Sequence, residues 1–221
     1  MSYRQADSRT GSREPLYERM KGAILAGDLA PGQQLVETTL ATTYGVSRTP
    51  IRQALTRLEQ DGLIERTHRG LVVRERSPDE ILDIYEVRIG LEASAASTAA
   101  LRRTTMDLIA LRRLDEQLTS MDGSDAQAIA VANREFHQAI WAASHSEPLI
   151  DLLTRLNLHL SRFTATTLSE PGRWQQAGEE HHEILAAIED RDPERAAEAA
   201  THHFETARNL RLAIWARASD T

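Results

Sequence analysis

Four residues far apart in this chain have the types and spacing of a metal site. Asn133 and His137 stand four residues apart on a helix expected over 131–143, so they project from one face. His181 lies eleven residues before Asp192, and His203 lies eleven after it. If Asp192-Pro193 turns an antiparallel helix pair, both histidines sit about 16 Å from the turn, at roughly 1.5 Å per residue, and face each other. Three imidazoles and a carbonyl oxygen on facing helices can hold a divalent ion, with zinc expected first and nickel or another divalent ion able to compete. His182 and His202 neighbour the later pair, each about 100° around its helix. His181 shares a side with Ile184, Leu185 and Ile188, which favours it for the interior. Symmetry about the turn alone favours His203. By spacing, scattered surface histidines remain an equal alternative.

A second chemistry lies near the other end. In Ser47-Arg48-Thr49-Pro50-Ile51-Arg52, the two arginines are four residues apart on one helical face. A guanidinium can donate two hydrogen bonds to a guanine edge or pair with phosphate. Ser47 and Thr49 can reach phosphate or bases at a helix N-terminus. Thr67-His68-Arg69-Gly70 reads as a hairpin turn that could place Arg69 along a nucleic-acid backbone. The bland alternative is exposed charge on a small helical domain.

The elements that must position these groups follow from periodicity and breakers. Residues 1–13 read as a polar tail. Helices are expected over about 15–25, 36–44 and from Ser47 to Gly62, with Gly45 as the tight turn before the third. Two short β-type runs, 63–66 and 71–74, flank the hairpin. Three helices and a hairpin make a winged helix-turn-helix, assigned to residues 14–76. Residues 77–80 are expected to link it to a second domain, 81–215. There helices are expected from Pro78 and over about 105–120, 125–143, 147–168, 173–190 and 193–216. The fold class is therefore mainly α, a winged helix-turn-helix followed by an all-helical bundle.

Composition bounds the function classes. The chain has 221 residues, 41% hydrophobic and 27% charged, ordinary for a globular protein. No apolar run approaches the ~20 residues that span a bilayer, and the polar start lacks a signal-peptide core, so no membrane partner and a cytoplasmic location are expected. With no cysteine, disulfides, thiolate metal sites and a Cys nucleophile are excluded. Charge is uneven. Residues 1–76 hold 12 Lys or Arg against 9 Asp or Glu, and the rest hold 14 against 24. A slightly basic head on an acidic body suits a nucleic-acid-binding end.

The segments Leu29-Ala-Pro-Gly-Gln-Gln-Leu-Val-Glu37 and Tyr44-Gly-Val-Ser-Arg-Thr-Pro-Ile-Arg-Gln-Ala-Leu55 closely resemble the N-terminal domain of GntR-type bacterial regulators, over about residues 15–76. The resemblance implies a homodimer on short palindromes of double-stranded operator DNA. It places Arg48 and Arg52, with Ser47 and Thr49, on that DNA; Arg69 and Gly70 of the wing are added from the hairpin. The later segments Tyr85-Glu-Val-Arg-Ile-Gly-Leu-Glu92, Asn133-Arg-Glu-Phe-His137, Glu180-His-His-Glu-Ile-Leu185 and Thr201-His-His203 look like the FCD domain of the FadR-like branch. That resemblance implies a metal held by one Asp and three His, here Asn133, His137, His181 and His203. The metal would help hold a small carboxylate effector. Asn133 departs from the usual Asp and makes the site one unit more positive. Arg88 falls near the cavity in such proteins and could grip the carboxylate, or it could pair with Glu92. Two further readings remain: a metal-free helical domain used mainly for dimerisation, and a metal-dependent hydrolase. The hydrolase is opposed by the lack of a placed general base, since Glu135 points away from the ligand face and only Glu180 is left.

Overall fold

Glycine-punctuated amphipathic segments build the first part of the chain. Leu16–Ala26 (α1), Glu37–Tyr44 (α2) and Arg48–Gln60 (α3) are helices, and Ile64–Thr67 (β1) and Gly70–Val73 (β2) form an antiparallel pair. These come from a computed structural model that describes residues 15–122, 125–160 and 167–219. The tail expected over 1–13 lies outside the described residues.

α3 buries Ile51, Ala54, Leu55 and Leu58 on one side and leaves Arg48, Thr49 and Arg52 exposed on another. It packs against α1, α2 and β1. Gly45 ends α2 at φ 66°, a left-handed conformation that other residues adopt only with strain. That turn lets α3 leave α2 within three residues. Ser47 stands at the N-cap of α3, but its side chain makes no capping hydrogen bond.

The wing is tighter than its sequence suggests. Thr67 pairs directly with Gly70, so only His68 and Arg69 lie between the strands. Gly70 takes φ 101° while His68 and Arg69 keep negative φ, as in a type I turn followed by a bulge. Residues 33–35 extend the sheet: Leu35 N donates to Leu71 O at 2.8 Å and Val73 N to Gln33 O at 2.9 Å. The Gln34 side chain donates to Arg69 O.

Residues 1–75 and 76–221 are separate compact units. Residues 77–80, expected as a linker, instead form the start of a helix. Ser77 and Glu80 close a capping box, with Glu80 N donating to Ser77 Oγ at 3.2 Å and Ser77 N to Glu80 Oε2 at 3.0 Å. Pro78 sits in the first turn, where its missing N–H has no intrahelical partner.

The second unit is helical throughout its described residues: Pro78–Arg102 (α4), Thr105–Ser120 (α5), Ala126–Ala143 (α6), Glu147–Leu160 (α7), Arg173–Glu189 (α8) and Pro193–Ser219 (α9). The helix expected over 147–168 is described to Leu160; residues 161–166 lie outside the described residues. α4 runs against α6, α7, α8 and α9. Its buried alanines, Ala95, Ala96, Ala99 and Ala100, allow that close approach. Phe136, Leu111, Leu118, Ile184 and Ile188 fill the core around them.

α4 and α8 also tie off each other's C-terminal ends. Arg103 Nε donates to Ile188 O at 3.0 Å and its Nη2 to Glu189 O at 2.6 Å. Arg191, just past α8, donates to Leu101 O at 3.0 Å and Arg103 O at 3.2 Å. Each guanidinium satisfies carbonyls that the helix itself leaves unpaired and opposes the negative end of its dipole.

Candidate metal centre and nucleic-acid face

α6, α8 and α9 each bring one histidine to the same place. His137, His181 and His203 are 2%, 0% and 3% exposed, and one nitrogen from each lies within 4.8 Å of the others. Their ring centroids are 4.6 to 5.0 Å apart. The neighbours His182 and His202 are exposed. His182 points to Asp115, with Nδ1 3.3 Å from Oδ2. The turn between α8 and α9 thus does what the symmetric spacing about Asp192 anticipated.

The polar atoms here have an unusual deficit. Both ring nitrogens of His137, both of His181 and Oδ1 of Asn133 are buried without a hydrogen-bond partner. Such atoms are costly unless something occupies their lone pairs. A divalent cation does that for several at once, so the residues fit a metal. Burial, then repulsion from the neighbouring imidazoles, pushes the pKa of His137 and His181 well below the usual value. Burial also lowers His203, against the pull of Glu180. All three are therefore neutral near pH 7, the form that donates a lone pair.

His203 is oriented from behind. Its Nδ1 lies 2.6 Å from Glu180 Oε2, which also accepts from Arg173 Nη2 at 2.8 Å. Burial raises the Glu180 carboxyl, but His203 and Arg173 outweigh it and hold the group below the usual range. An ionised carboxylate only accepts, so His203 carries its proton on Nδ1 and leaves Nε2 as a donor atom. This role of Arg173 and Glu180 is not among those expected from the sequence. Their spacing of seven residues, two helical turns on one face, was the available signal.

Beside this centre lies a small cavity. Its lining comprises Arg88 of α4, Asn157 of α7, and Ala130, Asn133, Arg134, His137 and Trp141 of α6. His137 belongs to both, so the cavity adjoins the histidines. Its room is for about one water, about 10 Å³. Arg88 lines the cavity and pairs with Glu92, the second of the two roles expected for it. Its Nε donates to Glu92 Oε1 at 3.1 Å, and its guanidinium carbon lies 4.5 Å from the Phe204 ring centroid. Glu92 also accepts from Trp141 Nε1 at 2.7 Å. Burial pushes the Glu92 carboxyl up, against Arg88 and Trp141. Tyr85 is core, packed with Ile81 and Leu160. Glu135 is exposed, as its spacing implied.

In the first unit, Ser47, Arg48, Thr49 and Arg52 cluster at the exposed start of α3, and Arg69 is exposed on the wing beside Gly70. Arg48 Nη2 lies 3.0 Å from Glu37 Oε2, and Arg52 Nε lies 2.8 Å from the same oxygen. Arg52 and then Arg48 hold the Glu37 carboxyl below the usual range. Glu37 comes from another helix, and no spacing in the sequence links it to these arginines.

Comparison with known proteins agrees with this architecture. Residues 13–73 match the profile described as bacterial regulatory proteins, gntR family, and residues 83–206 match the FCD domain. The HTH-type transcriptional regulator YdhC of Bacillus subtilis is 30% identical over 193 residues, 85% of each chain. The HTH-type transcriptional repressor GlaR of Escherichia coli is 27% identical, covering 86% of this chain and 91% of GlaR. Among solved structures, McbR/YncC of E. coli superposes with a TM-score of 0.75 at 25% identity, covering 90% of this chain and 96% of that one.

Proposed function

Because this chain belongs to the gntR family of bacterial regulatory proteins and carries an FCD domain after the DNA-binding one, we propose that its hold on operator DNA is set by a small carboxylate bound beside a divalent metal ion. It is a DNA-binding transcriptional regulator and not an enzyme. No helix among the described residues is long and apolar enough to cross a membrane.

The observation that carries the metal reading is the convergence of three neutral, buried histidines, with both ring nitrogens of His137 and His181 lacking other partners. His137, His181, His203 and the Asn133 amide oxygen would hold the ion, with zinc the first candidate. When bound, it would supply a positive centre for a carboxylate oxygen. Glu180 fixes the His203 tautomer, and Arg88, itself steadied by Glu92, faces the cavity from the opposite helix. A guanidinium so held can accept a carboxylate without first being ordered. A ligand would have to displace a lining side chain such as the half-buried Asn157 to enter so small a space.

On the DNA side, Arg48 and Arg52 read bases from the start of α3, Ser47 and Thr49 meet phosphates, and Arg69 with Gly70 follows the backbone. The chain acts as a homodimer, presenting two such faces to a palindrome. Effector binding changes the relative population of two states of the dimer, and with it the operator affinity.

Metal content of untagged protein, measured by plasma mass spectrometry beside His181→Ala, tests the reading first. About one metal per chain in the native protein, lost in the variant, is expected. No metal after incubation with zinc would leave a regulator whose helical domain binds its effector by side chains alone or only dimerises.

A further inference from the structure

The charges around the cavity do not balance, and the imbalance has a direction. Along α6, Ala130, Asn133, Arg134, His137 and Trp141 fall at helical spacing on the cavity side. Arg134 is half-buried there and has no ion pair or hydrogen bond among the described residues. Its neighbours one turn away, Ala130, Val131, His137 and Gln138, carry no carboxylate. The other guanidinium on the cavity, Arg88, is matched by Glu92. Glu180, the carboxylate nearest the histidines, is already taken by Arg173 and His203. Asn133 contributes a neutral oxygen. The cavity wall thus carries one unmatched positive charge from Arg134. A divalent ion on three neutral histidines and an amide would add two more that no carboxylate among the described residues is free to offset.

From this we infer that the effector is a small dianionic acid: one acidic group meets the metal and Arg88, and Arg134 selects the second. The inference rests on the carboxylate reading given above and narrows it to acids with two anionic groups. A monoacid leaves Arg134 unmatched in a half-desolvated site, where a guanidinium gains most from a charged partner. Arg134 is then a specificity-determining residue.

The test uses the zinc-loaded full-length protein and matched ligand pairs, malonate, succinate and glutarate, each beside its own monoamide. The monoamide keeps size and shape and removes one charge. Binding is followed by calorimetry, with metal content checked after each titration. For at least one pair, the native protein is expected to prefer the diacid about tenfold or more, the scale of one charge-assisted hydrogen bond. Arg134→Met should bring that ratio to about one, and Arg134→Lys should keep part of the preference. Diacids and monoamides binding alike to the native protein, or an undiminished preference in Arg134→Met, overturns the role of Arg134 and leaves the carboxylate reading intact. If no member of either series binds, the carboxylate reading falls as well.

Discussion

At the scale of single residues, the histidine cluster is held by contacts that only the fold reveals. Glu180 does not face the cavity; it fixes which nitrogen of His203 is free. Glu180→Gln should therefore keep the chain folded but weaken zinc binding by about 10- to 100-fold, the range for such supporting groups, read by competition with a chromophoric chelator. An affinity equal to the native one would mean that Glu180 does not orient His203. The histidines also make stability depend on pH. Their folded pKa values lie below the unfolded value, most strongly for His137 and His181. Below about pH 6.5 the unfolded chain takes up protons that the folded core refuses. Metal-stripped protein should accordingly lose thermal stability as pH falls from about 7.5 to 5.5, and His137→Phe should reduce that slope. A slope unchanged by the substitution would place the titrating groups elsewhere. His181 and His203 were legible because eleven-residue steps on either side of a turn bring residues level, and His137 through its four-residue spacing from Asn133 together with the family resemblance. Glu180 and Arg173 were not, because their role depends on how α8 is rotated against α9. The same holds for Glu37, which meets Arg48 and Arg52 from a different helix.

Elements were legible almost to the residue where side chains state their own limits. Thr104 and Asp107 cap α5 at the expected start, and Asp125 caps α6. The start of α4 falls at Pro78 as expected, but Ser77-Pro78 serves equally as a linker or as a cap with proline in the first turn, so residues 77–80 also read as a linker. Only packing of Ile81 and Tyr85 decides between them. The tight wing was blurred for a related reason: Gly70 permits a positive φ without declaring it, and the Gln34 contact that holds the turn lies far back in sequence. Gly45 is the element-scale counterpart. Nothing stands within 4 Å of a Cβ built there, so Gly45→Ala meets no clash, and its cost is conformational. A loss of about 1 kcal/mol is expected in denaturant unfolding of the first unit. No loss at all would mean that the turn relaxes out of the left-handed region.

For the whole molecule, the division at residues 75 and 76 separates two cores and two charge characters. The helical unit contains every proposed metal donor. A chain of residues 76–221 alone should thus fold cooperatively and bind zinc with an affinity close to that of the full chain, and should not bind DNA. A fragment that folds but holds no zinc would show that the centre needs the first unit. The charge contrast between the units and the Arg88–Glu92 pair within α4 were open to the sequence; the contacts of Glu180 with His203 and of Asp115 with His182 were not, since they form only when α8 packs against α9 and α5.

The crossed arginine caps give α4 a mechanical character. Arg103 and Arg191 clamp the far end of this 25-residue rod to the end of α8, so that end behaves as a fulcrum. Arg88 lies about 21 Å from it and Pro78 about 36 Å, at roughly 1.5 Å per residue. A sideways shift of about 1 Å where Arg88 meets a ligand would then arrive as about 1.7 Å at the opposite tip, where the chain continues into the DNA-binding unit. The helix would then act as a lever whose long arm ends at Pro78.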